Sequence, residues 1–225
     1  VVVGAGASGG RLAETLSIVL EDAGIDGAAV VVGPSPMSQL DPTLSELARA
    51  AVKTYKPVFG PEDYINVHTY TAMGMSYEDF ELPVIGICNT WNEIVPGQYN
   101  LRQVSDFVKK GILRAGGNPV EFGTIACCDG VTTGNDGDYY VLPSREIIAD
   151  SVEVMAKAHK LDGIVLVGSC DKIVPGLLMG AARLNIPTIY IPGGPSLSGP
   201  PFGKKLKGDC TCITEAMGME QAGVI

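Results

Sequence analysis

Three consecutive residues, Cys170-Asp171-Lys172, put a thiol, a carboxylate and an amine side by side. Sulfur is a soft ligand and a carboxylate oxygen a hard one, so two kinds of metal chemistry are open to one short stretch. Lys172 can close a simple ion pair with the acids, or carry a modification that adds oxygen ligands. A second thiol–carboxylate pair, Cys128-Asp129, precedes it in the chain. Asp129 and Asp171 are candidate ligands for a hard divalent cation such as Mg²⁺. Cys170 is a candidate thiolate for an iron–sulfur cluster. The plain alternative is a loop with a buried cysteine and a surface Asp–Lys pair.

The surrounding pattern gives these residues a place. Gly163-Ile164-Val165-Leu166-Val167 is short, apolar and β-branched, which predicts a buried strand. A helix over 177–184 follows, opened by Pro175 near its first turn. Earlier, residues 83–88 predict a strand with Asn89-Thr90-Trp91-Asn92-Glu93 as its exit loop. Residues 101–115 predict an amphipathic helix with Val104, Phe107, Val108 and Ile112 on one face, closed by Gly116-Gly117. Residues 120–128 predict a strand and 129–141 a long glycine-punctuated loop. Ser144 is the expected cap of a helix whose apolar positions are Ile147, Ile148, Val152 and Met155. A last strand at 188–191 leads into Gly193-Gly194-Pro195. Strands alternating with helices imply an α/β fold: a parallel sheet with helices on both faces. The strand exits then share one edge, so a metal site is expected at the C-terminal ends of the strands. Cys88-Asn89, Cys128-Asp129 and Cys170-Asp171-Lys172 all fall at such exits.

The 225 residues suffice for one large domain or two small ones. A hydrophobic share of 46% supports a core, and the 29 glycines, interleaved with apolar runs, point to tight loops rather than disorder. A net charge of -9 argues against a nucleic-acid partner. No apolar run approaches the roughly 18 residues of a membrane span. The six cysteines do not read as a small secreted disulfide scaffold, and a reducing, cytoplasmic setting is expected, with thiols as ligands or buried apolar groups.

The N-terminal third reads differently. Val1-Val2-Val3 followed by Gly4-Ala5-Gly6-Ala7-Ser8-Gly9 matches the strand–GxGxxG–helix opening of a dinucleotide site. A helix over 11–22 and a strand over 28–32 would follow. The acid expected near the end of that strand is replaced by Gly33-Pro34. Glycines alone also serve a tight turn. Asp41 caps a helix running to about residue 55. His68 reads as structural. Residues 1–65 are treated as an α/β segment of separate character and 66–225 as the metal-site domain, the two being able to form one unit.

Several long motifs resemble the dihydroxy-acid dehydratase / phosphogluconate dehydratase family. They are Pro83-Val84-Ile85-Gly86-Ile87 running into Asn89-Thr90-Trp91-Asn92-Glu93, Asp129-Gly130-Val131, Leu142-Pro143-Ser144-Arg145-Glu146, Cys170-Asp171-Lys172-Ile173-Val174-Pro175-Gly176, and Arg183-Leu184-Asn185-Ile186-Pro187. The resemblance covers residues 66–195 and is closer to the dihydroxy-acid branch. It implies a hydro-lyase turning a 2,3-dihydroxy carboxylic acid into a 2-oxo acid, as in branched-chain amino-acid biosynthesis. It implies an iron–sulfur cluster, 2Fe–2S or 4Fe–4S, and Mg²⁺, both stabilising developing negative charge. Carried over, Cys170 is a cluster ligand, and Asp129 and Asp171 are Mg²⁺ ligands. Lys172 matches a lysine carbamylated in the family, so Asp171 and Lys172 act in catalysis through the cation. A homo-oligomer is also implied.

The departures are specific. Many members have a cluster cysteine where this chain has Gly97, with Cys88 or Cys128 as candidate substitutes. A third cluster cysteine falls in the region of Asp209-Cys210-Thr211-Cys212, with Cys210 and Cys212 both open. Asp136-Gly137-Asp138-Tyr139 differs from the family's Mg²⁺ loop. Family members are more than twice as long, and a β-rich second domain supplies a serine base and a further acidic ligand. If these 225 residues were the whole protein, a base worth about 10²–10⁴ in rate would have to come from elsewhere. Two other readings stand beside the dehydratase: a non-catalytic metal-binding or assembly protein derived from that domain, and a nucleotide- or flavin-binding protein through Gly4 to Gly9.

Overall fold

The computed structural model describes residues 29–31, 69–76, 78–193 and 210–224. Among the described residues there are five strands: β1 (Ala29–Val31), β2 (Val84–Asn89), β3 (Asn118–Gly123), β4 (Gly163–Gly168) and β5 (Thr188–Pro192). They form one sheet in the order β1-β5-β4-β2-β3, and every pairing is parallel. The parallel α/β sheet expected from the alternating pattern is therefore present. The helices that follow are α1 (Leu101–Arg114), α2 (Asp129–Thr132), α3 (Val141–Ala158) and α4 (Ile173–Leu184).

β4 is buried at all six positions, as a central parallel strand covered on both faces must be. Its side chains alternate between two layers. Ile164 and Leu166 join Cys88, Tyr190, Ile148 and Val152 of α3 and Ile173, Leu177 and Ala181 of α4 in one core. The opposite face receives α1, whose Leu101, Val104, Val108 and Ile112 are buried. There the Asn89 amide donates to the Leu101 carbonyl at 3.4 Å. Helices on both faces thus agree with the sequence reading.

α3 and α4 approach closely because α4 carries Gly176 and Gly180. A Cβ on Gly180 would stand 2.8 Å from the Val152 Cβ, and one on Gly176 would stand 2.8 Å from the Arg145 carbonyl. α4 ends at Asn185, whose φ of 51° is the left-handed conformation of a helix cap.

Connections leave β2 through α1 towards β3, and leave β4 through α4 towards β5, on opposite sides. The ends of β2 and β4 therefore flank a topological switch point, where open α/β sheets bind ligands.

Several local expectations are corrected. The strand expected over 120–128 stops at Gly123. Its partner β2 ends at Asn89, and after the Thr124 amide bonds the Asn89 carbonyl at 3.3 Å there is no strand left to pair with. Residues 124–128 form an arm beyond the sheet, so Cys128 stands past a strand exit rather than at one. The loop expected over 129–141 contains α2 and a 3-10 turn, Asp136–Tyr140, opened by the Asn135 side chain accepting from the Gly137 amide at 2.8 Å. α3 begins at Val141, and Ser144 lies inside its first turn with its hydroxyl bonded to the Val141 carbonyl at 2.6 Å, so it is not the cap. Phe107 and Ile147 lie on the outer sides of their helices.

By contacts the chain forms two compact units, Val1–Gly194 and Pro195–Ile225. The second contains α5 (Cys210–Gln221). Gly4 to Gly9, the helices expected at 11–22 and 41–55, and His68 lie outside the described residues. Among the described residues, no helix is long and apolar enough to cross a membrane.

Candidate metal centre

β4 ends at Gly168, and two residues later the chain turns back through Cys170, whose φ is 84°. A left-handed backbone costs a non-glycine residue about 1–2 kcal/mol. It is held here from several sides. Buried Gln98 donates from Nε2 to the Ser169 carbonyl at 2.6 Å. Its Oε1 accepts from the Thr90 hydroxyl at 2.7 Å. The Ser169 hydroxyl donates to the Gly97 carbonyl at 2.8 Å. The Gly193 amide bonds the Gly168 carbonyl at 3.1 Å. The exits of β2, β4 and β5 are thus knitted together before any candidate ligand is reached. Gly97 and Gly193 permit this closeness: a Cβ on Gly97 would fall 2.6 Å from the Ser169 Oγ, and one on Gly193 would fall 2.5 Å from the Gly97 carbonyl.

The second contributor is the arm after β3. Asn92 donates to the Ala126 carbonyl at 3.2 Å, and Thr124 and Ser151 hydroxyls stand 2.5 Å apart, fixing the arm to the β2 exit and to α3. Cys128 precedes the single turn of α2 in an extended conformation. The Sγ atoms of Cys128 and Cys170 are 3.3 Å apart, and the Cys170 Sγ is 3.6 Å from Asp129 Oδ1. The ligand atoms of Cys128, Asp129 and Cys170 all lie within 4.8 Å of one another. Burial pushes the Cys170 thiol up to about 12, reinforced by its hydrogen bond to Cys128. A neutral thiol is therefore the resting form without a metal, and a metal is what would draw off the proton.

Asp171 and Lys172 contact each other directly. The Lys172 ammonium beside it holds Asp171 below the ordinary carboxylate range. The same contact raises the Lys172 amine. This ion pair follows Cys170 directly in the turn, with Asp171 the more exposed of its two members.

The predicted residues separate as follows. Cys128, Asp129, Cys170, Asp171 and Lys172 are brought together. Cys88 is not: it is buried in β2, faces the α3–α4 core, and burial pushes its thiol far up. It is a core residue, which removes it as a substitute ligand. Cys210 and Cys212 fall in the first turn of α5, and their side chains lie outside the described residues. Sequence reasoning missed Thr90, Gln98 and Ser169 as positioning residues. For Thr90 and Ser169 the signal was a hydroxyl side chain directly after a strand; Gln98 carried none.

The donor set suits the groups that the resemblance implies. Paired sulfurs fit a soft metal or an iron–sulfur cluster, and adjacent carboxylates fit Mg²⁺.

A family model described as dihydroxy-acid/6-phosphogluconate dehydratase N-terminal matches residues 82–225. A dihydroxy-acid dehydratase of Methanobrevibacter smithii is 53% identical over 154 residues, covering 68% of this chain and 28% of the relative. The dihydroxy-acid dehydratase of Pyrococcus furiosus is 49% identical over the same length, again 68% and 28%. That of Clostridium novyi is 54% identical over 137 residues, 61% of this chain and 25% of the relative. The matched stretch is about a quarter of the length of these curated relatives. With the model matching well over half of the chain, this protein belongs to the dihydroxy-acid/6-phosphogluconate dehydratase family and corresponds to its N-terminal region.

Proposed function

We propose that this chain is the metal-holding part of a hydro-lyase that converts a 2,3-dihydroxy carboxylic acid to a 2-oxo acid. The observation that carries the reading is the convergence of two thiols and the Asp129 carboxylate beyond the ends of β2, β3 and β4, with Asp171 next in the chain to Cys170. In the overall reaction the proton leaves C2, the hydroxyl leaves C3 as water, and the resulting enol becomes the ketone. Bound iron–sulfur and Mg²⁺ groups would supply Lewis-acid stabilisation of the negative charge that develops on the substrate oxygens.

Cys170 would hold the soft group, with Cys128 beside it; for a further thiol, Cys210 or Cys212 is offered by the family resemblance alone. Asp129 and Asp171 would hold Mg²⁺. Lys172 neutralises Asp171 in the metal-free arrangement. If Lys172 is carbamylated, a third anionic group joins Asp129 and Asp171, an arrangement that only a divalent cation among them would stabilise. The Asp171–Lys172 side of the centre is the more open one, where a small dihydroxy acid can approach. A cytoplasmic homo-oligomer taking this substrate is the setting that fits the reading.

Anaerobic purification tests it. Broad visible absorbance with stoichiometric iron and sulfide is expected, and a colourless protein that takes up neither would overturn the cluster assignment. In the natural chain carrying this region, Asp171→Asn is expected to abolish conversion of 2,3-dihydroxyisovalerate. Wild-type turnover in that variant would overturn the Mg²⁺ assignment.

A further inference from the structure

The two sulfurs at the centre come from unrelated parts of the chain and are closer to each other than packing requires. Cys170 is at the β4–α4 turn, and Cys128 is at the end of the arm after β3. Two thiolates on one tetrahedral metal atom, with metal–sulfur bonds of about 2.3 Å, stand about 3.8 Å apart. The observed 3.3 Å is within about half an ångström of that separation and far from the roughly 2.0 Å of a disulfide bond.

The backbone around the pair is arranged to keep them there. Cys170 adopts a left-handed conformation, held through Ser169 by buried Gln98. The arm carrying Cys128 is tied by Asn92 and by the Thr124–Ser151 contact. Neither sulfur lies in the hydrophobic core proper, in contrast to Cys88. Cys127, next to Cys128, does not join the cluster of candidate ligand atoms among the described residues.

We propose that Cys128 and Cys170 ligate the same metal atom as a thiolate pair, with Cys128 as a direct ligand rather than a neighbour of the site. This rests on reading the centre as metal-binding. It supplies from the arm after β3 a thiolate that position 97 does not, since Gly97 lies against the Ser169 hydroxyl with no room for a side chain unless Ser169 moves. On binding, each thiol gives its proton to solvent and its sulfur donates an electron pair to the metal. No oxidant is needed.

Cobalt(II) provides the test, because thiolate-to-cobalt charge transfer in the near-ultraviolet grows with the number of thiolates bound. The reduced protein is titrated anaerobically with Co²⁺ alone, as wild type, Cys128→Ser, Cys170→Ser and Cys127→Ser. Cys128→Ser and Cys170→Ser are each expected to lose one thiolate's share of the band per bound cobalt. Each should also weaken binding by more than the about 10–100-fold typical of removing an outer-shell partner. Cys127→Ser should match wild type. X-ray absorption of cobalt on the unmodified chain gives a readout independent of how any variant folds, and at least two sulfur neighbours are expected.

A wild-type protein that binds no cobalt through sulfur would sink the metal-binding reading itself. A wild-type thiolate band that persists undiminished in Cys128→Ser, or a single sulfur neighbour in the unmodified chain, would overturn the pairing alone.

Discussion

The side-chain amide of Gln98 donates to the backbone carbonyl of Ser169 across 71 positions of sequence, at 2.6 Å. Gln98 is wholly buried, and its other end accepts from Thr90, whose hydroxyl is also 2.9 Å from the Val167 carbonyl. One uncharged side chain thus spans the exits of β2 and β4 and sets where the turn into Cys170 begins. A neutral amide can do this without placing a charge beside the candidate ligands.

Replacing Gln98 by Ala would leave the Ser169 carbonyl without its amide donor and open a cavity, while the Thr90 hydroxyl keeps the Val167 carbonyl as acceptor. An unsatisfied buried polar group costs about 1–3 kcal/mol. The melting temperature should fall by about 2–4 °C for each kcal/mol in a domain of this size. Co²⁺ affinity should fall as well, because Cys170 loses its support. A Gln98→Ala protein with unchanged melting and unchanged cobalt binding would show that the link does not position the turn.

Beneath α1, Glu121 of β3 accepts from the Asn89 side chain at 2.7 Å and pairs with Lys109 of α1. Burial pushes its carboxyl up, but the hydrogen bonds from Asn89 and Lys109 outweigh burial and hold it below the ordinary range. A depressed folded value means a contribution to stability that is complete above the unfolded value. That contribution is lost as pH falls through the folded one. Denaturant unfolding of wild type and Glu121→Gln should therefore differ most near neutrality. The difference should shrink as pH drops below about 4.3, the ordinary glutamate value. A gap that stays constant from pH 7 to pH 3 would refute the assignment.

The parts of this fold that were legible in the sequence are those set by local pattern. β4 reads directly from Ile164-Val165-Leu166-Val167, and the end of α4 from Asn185, because apolar periodicity and a left-handed cap are properties of a few adjacent residues. The end of β3 was not legible, since it depends on where β2 stops offering partners. The same cause hid the difference between Cys88 and Cys128. In the sequence both follow an apolar run, but the two-residue period of β2 turns Cys88 into the α3–α4 core, while the arm after β3 carries Cys128 out to Cys170. Gln98 could not be singled out, because its partners are a carbonyl and a hydroxyl supplied by other segments.

At the opposite end of the strands, Asp162 clamps the start of β2. Its Oδ2 accepts from the Val84 amide at 2.7 Å, and its own amide donates to the Val84 carbonyl at 2.9 Å. Asp162→Ala strands a buried amide, again at about 1–3 kcal/mol. Because this clamp is at the N-terminal ends of β2 and β4, melting should fall without change in the cobalt band per bound metal. Asp162→Asn retains an acceptor oxygen and should recover most of the stability. If Asp162→Ala alters the band, the two ends of the sheet are coupled more tightly than these contacts imply.

The α3–α4 contact gives a prediction opposite to ordinary helix propensity. Glycine inside a helix is about 1 kcal/mol worse than alanine, so an isolated α4 would gain from Gly180→Ala. In the folded protein the added methyl would stand 2.8 Å from the Val152 Cβ, 2.9 Å from its Cγ1 and 3.1 Å from the Ala149 carbonyl. These are branch-point and backbone atoms rather than the far end of a flexible side chain, so α4 would have to move away from α3. Overpacking of this kind typically costs 1–3 kcal/mol, enough to cancel or exceed the propensity gain. Gly180→Ala should therefore lower the melting temperature or leave it unchanged. Gly218→Ala in α5, where among the described residues nothing lies within 4 Å of the added atom, should stabilise its helix. A rise in melting temperature for Gly180→Ala matching the helix-propensity gain would mean that α3 and α4 are not held at this separation.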